Sequence, residues 1–235
     1  MRWKPVITRT MAIAVLTAAA MAEAQEAEDP ALAAAIAHCP GAAEFVRLHG
    51  NPSRAVGVVA PAGPPAEPAL RAQLLEMARV DQAARNGDWS PAAIQRMNDV
   101  DAANLPTIRR IVAAHDGLPD AGKVGTDGVA AAWLLVQHAD RDPAFQSDVL
   151  ARLGPLLDNG QVSRHEMALL TDRVLVNQDR PQRYGSQLLA VDGRWVPQPM
   201  EAPAQVDQRR AAINEMPLAD YVCVATTLMP PPAAP

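Results

Sequence analysis

The segment AAAWLLVQHADRD, Ala130 to Asp142, ends an apolar run in four polar side chains, Gln137, His138, Asp140 and Asp142. Histidine titrates near neutrality, so His138 is a candidate general acid or base, with Asp172 or Asp140 as the carboxylate that orients it. The same residues have a purely structural explanation. A histidine at a helix end caps exposed carbonyls or pairs with Asp140 or Asp142, and spacing alone fixes no partner. At that carboxyl end the partial negative charge of the helix favours a protonated imidazole.

A second group falls in RHEMALLTDRVLVN. Helical spacing puts His165, Leu169, Asp172 and Val176 on one face, with Arg173 one position round. A charged pair in so apolar a helix must find partners or reach solvent, as a salt bridge between helices or a ligand clamp. His165 lies in the first turn and is expected to be exposed. Downstream, Gln182, Tyr184 and Gln187 are suited to line a cleft or to satisfy loop backbone. Gln137, His138, Asp172, Arg173, Gln182, Tyr184 and Gln187, with Asp81, Gln82 and Arg85 as neighbours, form the predicted binding cleft.

Other chemistries find no complete signature. His165-Glu166 begins the H-E-x-x-H zinc pattern, but Leu169 stands at its fifth position. The five histidines are scattered, with no H-x-H, C-x-x-C or EF-hand loop, so no metal and no cofactor is expected. Asp140-x-Asp142 is better explained by Asp142 capping the next helix. Gly-rich phosphate loops and the G-x-S-x-G elbow are missing as well.

The elements that must position these residues read mostly as helices. One spans Ala69 to Asn86 and stops at Gly87; another begins at Ser90-Pro91, restarts at Asn104-Leu105-Pro106 and closes at Gly117. Thr126 or Asp127 caps a helix to Ala139, and Asp142-Pro143 caps one to about Leu157. Ser163-x-x-Glu166 is a capping box opening a helix to Asn177. Strands flank Asp192-Gly193, a pair suited to a tight hairpin turn. Short helical pieces over Val206 to Ile213 and Pro217 to Val224 follow. The expected fold is mainly α, an array of packed helices with one small β-hairpin at about residues 186–198.

Three features set organisation and destination. Arg2, Lys4 and Arg9 precede the apolar run Met11 to Ala22, and Ala22-Glu23-Ala24 offers small residues for cleavage before Gln25, so residues 1–24 read as a signal peptide. The run is short for a membrane span, which needs about 20 residues, so a retained anchor is the lesser alternative. The mature chain would carry 18 bases and 25 acids, a net charge of −7, after loss of three bases and one acid from the full-length −5. That acidity and the lack of a basic run exclude nucleic acid as a partner. Residues 25–56 form a short N-terminal segment, 57–68 a Pro/Gly/Ala-rich linker, 69–227 a helical domain and 228–235 an unfolded tail. In an oxidising compartment Cys39 and Cys223 are expected to form a disulfide.

Read in order, VDQAAR (Val80 to Arg85), KVG (Lys123 to Gly125), WLLVQHAD (Trp133 to Asp140), TDRV (Thr171 to Val174), QRYGSQ (Gln182 to Gln187), VDQRR (Val206 to Arg210) and PLADY (Pro217 to Tyr221) resemble a bacterial domain-of-unknown-function family. The resemblance covers Leu70 to Tyr221. Ser186 stands where that family's YGTQ has threonine, which keeps the hydroxyl. The resemblance supports the domain boundaries and implies no activity.

The expectation is therefore an exported, periplasmic or secreted helical domain that binds a peptide, glycan fragment or partner protein through the polar cleft. One rival is a hydrolase or transferase using His138 as general acid or base. Another is a structural or assembly role in which linker and tail are tethers.

Overall fold

The computed structural model describes residues 29–52, 63–85 and 89–232. The expected signal peptide, Gly87 and residues 57–62 of the linker lie outside the described residues. Ten α-helices and one two-stranded antiparallel sheet make up the described regular structure, with one 3₁₀ turn. The fold is mainly α.

α1 (Pro30–His38) and α2 (Pro40–His49) form an N-terminal pair. α3 (Pro68–Ala84) packs chiefly along α5 (Ala121–Gln137), with α4 (Pro91–His115) against both. Around Leu74, Ile108, Val124, Val129, Ala132, Leu135, Val149 and Leu170 these helices build the larger core with α6 (Pro143–Ala151), α7 (Gly154–Asp158) and α8 (Arg164–Asn177). Its stability comes from apolar area removed from water, about 25 cal/mol per Å².

Local chemistry explains most boundaries and corrects several expectations. Pro106 sits inside one continuous α4, so the expected restart at Asn104 does not occur. α5 opens at Ala121 behind an Asp120 cap and breaks at Gly125 (φ 74°, ψ 163°), a kink joining two helical pieces, the second of which starts where the sequence predicts a helix, at Thr126 or Asp127. Asp127 accepts from the Gly128 amide at 2.9 Å and also holds Arg71 of α3 at 2.6 Å. Asp142 caps α6 as expected, but the chain breaks at Arg152 and re-enters helix as α7. The capping box is present, Ser163 Oγ accepting from the Glu166 amide at 3.0 Å and Glu166 Oε2 accepting from the Ser163 amide at 2.6 Å.

β1 (Leu188–Val191) and β2 (Arg194–Pro197) pair with Val191 opposite Arg194 across Asp192-Gly193, both at positive φ (49° and 71°). α9 (Val206–Ala211) and α10 (Leu218–Leu228) complete the chain. A second core joins this C-terminal part to the N-terminal pair through Leu32, Ile36, Ala42, Leu188, Trp195, Tyr221 and Val224. The N-terminal segment is thus packed onto the domain.

Cys39 and Cys223 are disulfide-bonded across 184 residues. Closing a loop of that length stabilises by about 5 kcal/mol on the chain-entropy account. Gly41 fits the same contact. A Cβ there would lie 2.1 Å from the Asp220 carboxylate of α10, so any larger residue requires that side chain to move. Of the expected unfolded tail, residues 233–235 lie outside the described residues, while α10 runs to Leu228 and the carbonyls of Met229 and Pro230 accept indole hydrogen bonds.

Candidate functional site

The predicted cleft residues separate into three groups, all tied to the ends of α3, α5 and α8. In α3 the core-facing stripe runs from half-buried Leu70 through buried Leu74 and half-buried Met77 to buried Asp81, placing a carboxylate where an apolar residue would be expected. Asp81 is fully buried and its oxygens are saturated. They accept from Gln82 Nε2 at 2.6 Å, Arg85 Nη1 at 2.8 Å and His138 Nδ1 at 2.9 Å. Arg85 also reaches Asp101 of α4 at 2.6 Å. His138, the C-cap of α5, is 4% exposed.

A carboxylate can only accept, so Nδ1 of His138 carries the proton and Nε2 presents its lone pair. Among the described residues Nε2 makes no hydrogen bond, yet it is not among the polar atoms sealed from solvent without a partner. Burial and then the Arg85 charge push the His138 pKa down; Asp81 opposes them and loses, and Arg173 adds to the lowering. The imidazole is therefore neutral at pH 7, against the expectation from the helix end. Burial pushes Asp81 up, but His138, Arg85 and Gln82 together bring it below the ordinary carboxylate value. Arg85 reconciles both directions, since a cation beside the pair favours the anion and opposes a second cation.

Orientation of His138 thus falls to Asp81, where Asp172 or Asp140 was expected. Both oxygens of Asp172 serve the loop before β1. They accept from the amides of Arg183 (2.7 Å), Tyr184 (3.0 Å) and Ser186 (2.9 Å) and from Ser186 Oγ (2.9 Å). Burial raises the Asp172 pKa despite these four donors. Gln182 ties the same loop to the hairpin, its Nε2 donating to the Gln187 and Gln198 carbonyls and its Oε1 accepting from the Gln187 amide. Gln187 donates to the Leu169 carbonyl. The Tyr184 carbonyl accepts from Arg210, whose Nε donates to the Met216 carbonyl. Gly185 permits the turn, with φ 76° and a Cβ position only 2.8 Å from Leu218.

The third group joins α8 to the α5–α6 connection. Arg173 pairs with Asp140 at 2.6 Å, and Asn177 donates to Asp140 and to Gln146. Gln146 in turn donates to the carbonyls of Val136 and Gln137. Gln137 itself is fully buried, and among the described residues neither end of its amide has a partner.

His165 is buried, 7% exposed, contrary to expectation. Its Nδ1 lies 2.8 Å from Glu215, which also faces Arg210 at 3.4 Å. Burial pushes its pKa down, but Glu215 and Glu166 carry it above the ordinary imidazole value.

Sequence reading missed Asp101, Gln146, Ser186, Arg210 and Glu215. An acid at the stripe position of Asp81 was the one local signal for the His138 partner, since the others come together only in three dimensions. Asp81, Asp101 and His138 each offer a ligand atom within 4.8 Å of one another, a set whose chemistry suits a metal ion. Arg85 bridges the two carboxylates and already balances their charge.

A family model described as a family of unknown function (DUF6624) matches residues 68–228. The chain belongs to this family. The DUF6624 match contains the His138 group, the Asp172 loop and the His165–Glu215 pair, and begins after α1 and α2. No curated protein and no solved structure matches the chain. Among the described residues no helix is long and apolar enough to cross a membrane.

Proposed function

We propose that this DUF6624 protein is exported and binds a polar ligand at the carboxyl end of α5, with Nε2 of His138 as the central contact. One observation carries the reading: Nδ1 is committed to buried Asp81 while Nε2 has no partner among the described residues. A neutral imidazole held in that tautomer accepts a hydrogen bond, so the ligand must donate one. Hydroxyls of a glycan fragment and amides of a peptide both qualify. The Asp172, Gln182 and Gln187 side chains do not belong to the contact surface in this reading; they hold the neighbouring loop in shape. A disulfide supports export to an oxidising compartment, periplasmic or extracellular, after removal of residues 1–24.

The test is titration of histidine-15N-labelled protein with N-acetylglucosamine oligomers and with a pool of short peptides. Binding is expected to move the His138 Nε2 resonance and leave His165 unmoved, and His138→Gln is expected to abolish it. Ligands that bind without moving Nε2 would sink the proposal. Amino-terminal sequencing of exported material should begin at Gln25.

The lowered His138 pKa favours a second reading, in which Nε2 takes a proton from a bound hydroxyl or water as general base. Turnover would then show an acid limb below neutrality that Asp81→Asn alters, whereas pure binding yields no product.

A further inference from the structure

Away from His138, two tryptophans hold the end of the chain. Trp195 of β2 donates through its indole N–H to the Met229 carbonyl at 2.7 Å, and Trp89, just before α4, donates to the Pro230 carbonyl at 2.9 Å. Their rings meet edge to face with centroids 5.5 Å apart. Two indoles therefore read two consecutive carbonyls at the start of Met229-Pro230-Pro231-Pro232.

Proline fixes φ near about −65° and has no amide hydrogen, so the carbonyls are the only backbone hydrogen-bonding groups such a run retains. It is extended before it binds and loses little conformational entropy on docking. Aromatic grooves are a recurring seat for segments of this kind. The seat is rigid because Trp195 is buried in the second core beside Leu188 and Tyr221. Its occupant is superficial, with Pro230 exposed and Pro231 and Pro232 half-buried.

We propose that the Trp89–Trp195 pair is a binding site for extended proline-rich peptides, which the chain's own tail occupies as a tethered competitor. The partner is an uncharged proline-rich run that offers the carbonyls of two consecutive residues to the two indoles. A peptide in trans must displace a tail held at high effective concentration, so the intact chain binds weakly. Release or removal of the tail opens the seat.

The experiment uses the full mature chain carrying Pro230→Gly, Pro231→Gly and Pro232→Gly, which loosens the tail without shortening the chain. Far-UV circular dichroism and an intact Cys39–Cys223 bond establish its fold. A synthetic capped peptide of sequence MPPPAAP is titrated while tryptophan emission is followed. Saturable binding is expected, at least about tenfold tighter than to the natural chain because the tethered competitor is weakened. The same peptide with alanine for each proline should bind at least about fivefold more weakly. Trp89→Phe, which keeps an aromatic ring and deletes one N–H, should cost about fivefold, the worth of one hydrogen bond. The proposal is overturned if the folded triple variant shows no saturable binding, if the alanine peptide binds equally well, or if Trp89→Phe leaves affinity unchanged.

Discussion

His138 and His165 are built from the same parts and behave oppositely. Each is buried, and each places Nδ1 against a buried carboxylate, 2.9 Å from Asp81 and 2.8 Å from Glu215. Yet the His138 pKa is lowered and the His165 pKa raised. The difference lies in the third charge. Arg85 bonds Asp81 directly at 2.8 Å and so supplies the cation that His138 would otherwise be, whereas Arg210 stands 3.4 Å from Glu215 and Glu166 adds a second negative field at His165. A second difference is access, since Nε2 of His165 is sealed without a partner among the described residues. One pair leaves a neutral imidazole whose Nε2 makes no hydrogen bond among the described residues, the other fastens α8 to the turn before α10.

The largest test removes a carboxylate. Glu215→Leu leaves the charges of His165 and Arg210 buried without their anion and should cost about 3–5 kcal/mol in urea unfolding at pH 6. Asp81→Asn leaves a neutral imidazole and an Arg85 that retains Asp101, so the expected loss is smaller, about 1–3 kcal/mol. Equal losses would erase the distinction between the two pairs.

The pH dependences should have opposite signs. The raised His165 pKa means that its contribution to stability is complete below the unfolded value of about 6.5 and is lost as pH rises through the folded pKa. The lowered His138 pKa means that its contribution is complete above about 6.5 and is lost as pH falls toward the folded pKa. In urea midpoints measured across this range, His165→Gln should abolish the alkaline-side decline and His138→Gln the acid-side one. Arg85→Met should raise the His138 pKa and leave His165 in place, read by imidazole NMR titration. The smallest effect belongs to Gln82→Ala, which removes one of three donors to Asp81 and should cost about 0.5–1.5 kcal/mol.

This contrast marks how far the sequence could be read. Helix punctuation by Ser90, Asp142 and the Ser163–Glu166 box, the Asp192-Gly193 turn and the Cys39–Cys223 pair were legible because each acts through near neighbours or compartment chemistry. His138 was visible as a polar residue closing an apolar helix. Its partner was hard to assign, because Asp81 lies 57 residues away on another helix and its place on the apolar stripe of α3 marks it as a buried acid without saying which group it serves. His165 looked exposed by its place in a first turn, and only packing of the Glu215 turn buries it. Asp172 and Gln187 looked like cleft residues for a related reason. A polar side chain that serves a distant loop's backbone has the same sequence signature as one that serves a ligand.

The most direct measurement is the protonation state of the two imidazoles by long-range 1H–15N correlation on the intact protein, at pH 7 and below. His138 is expected to be neutral at pH 7 with its proton on Nδ1 and an acceptor-type Nε2 resonance, and on lowering the pH His165 is expected to take up its second proton before His138 does. A cationic His138, or one carrying its proton on Nε2, would contradict it.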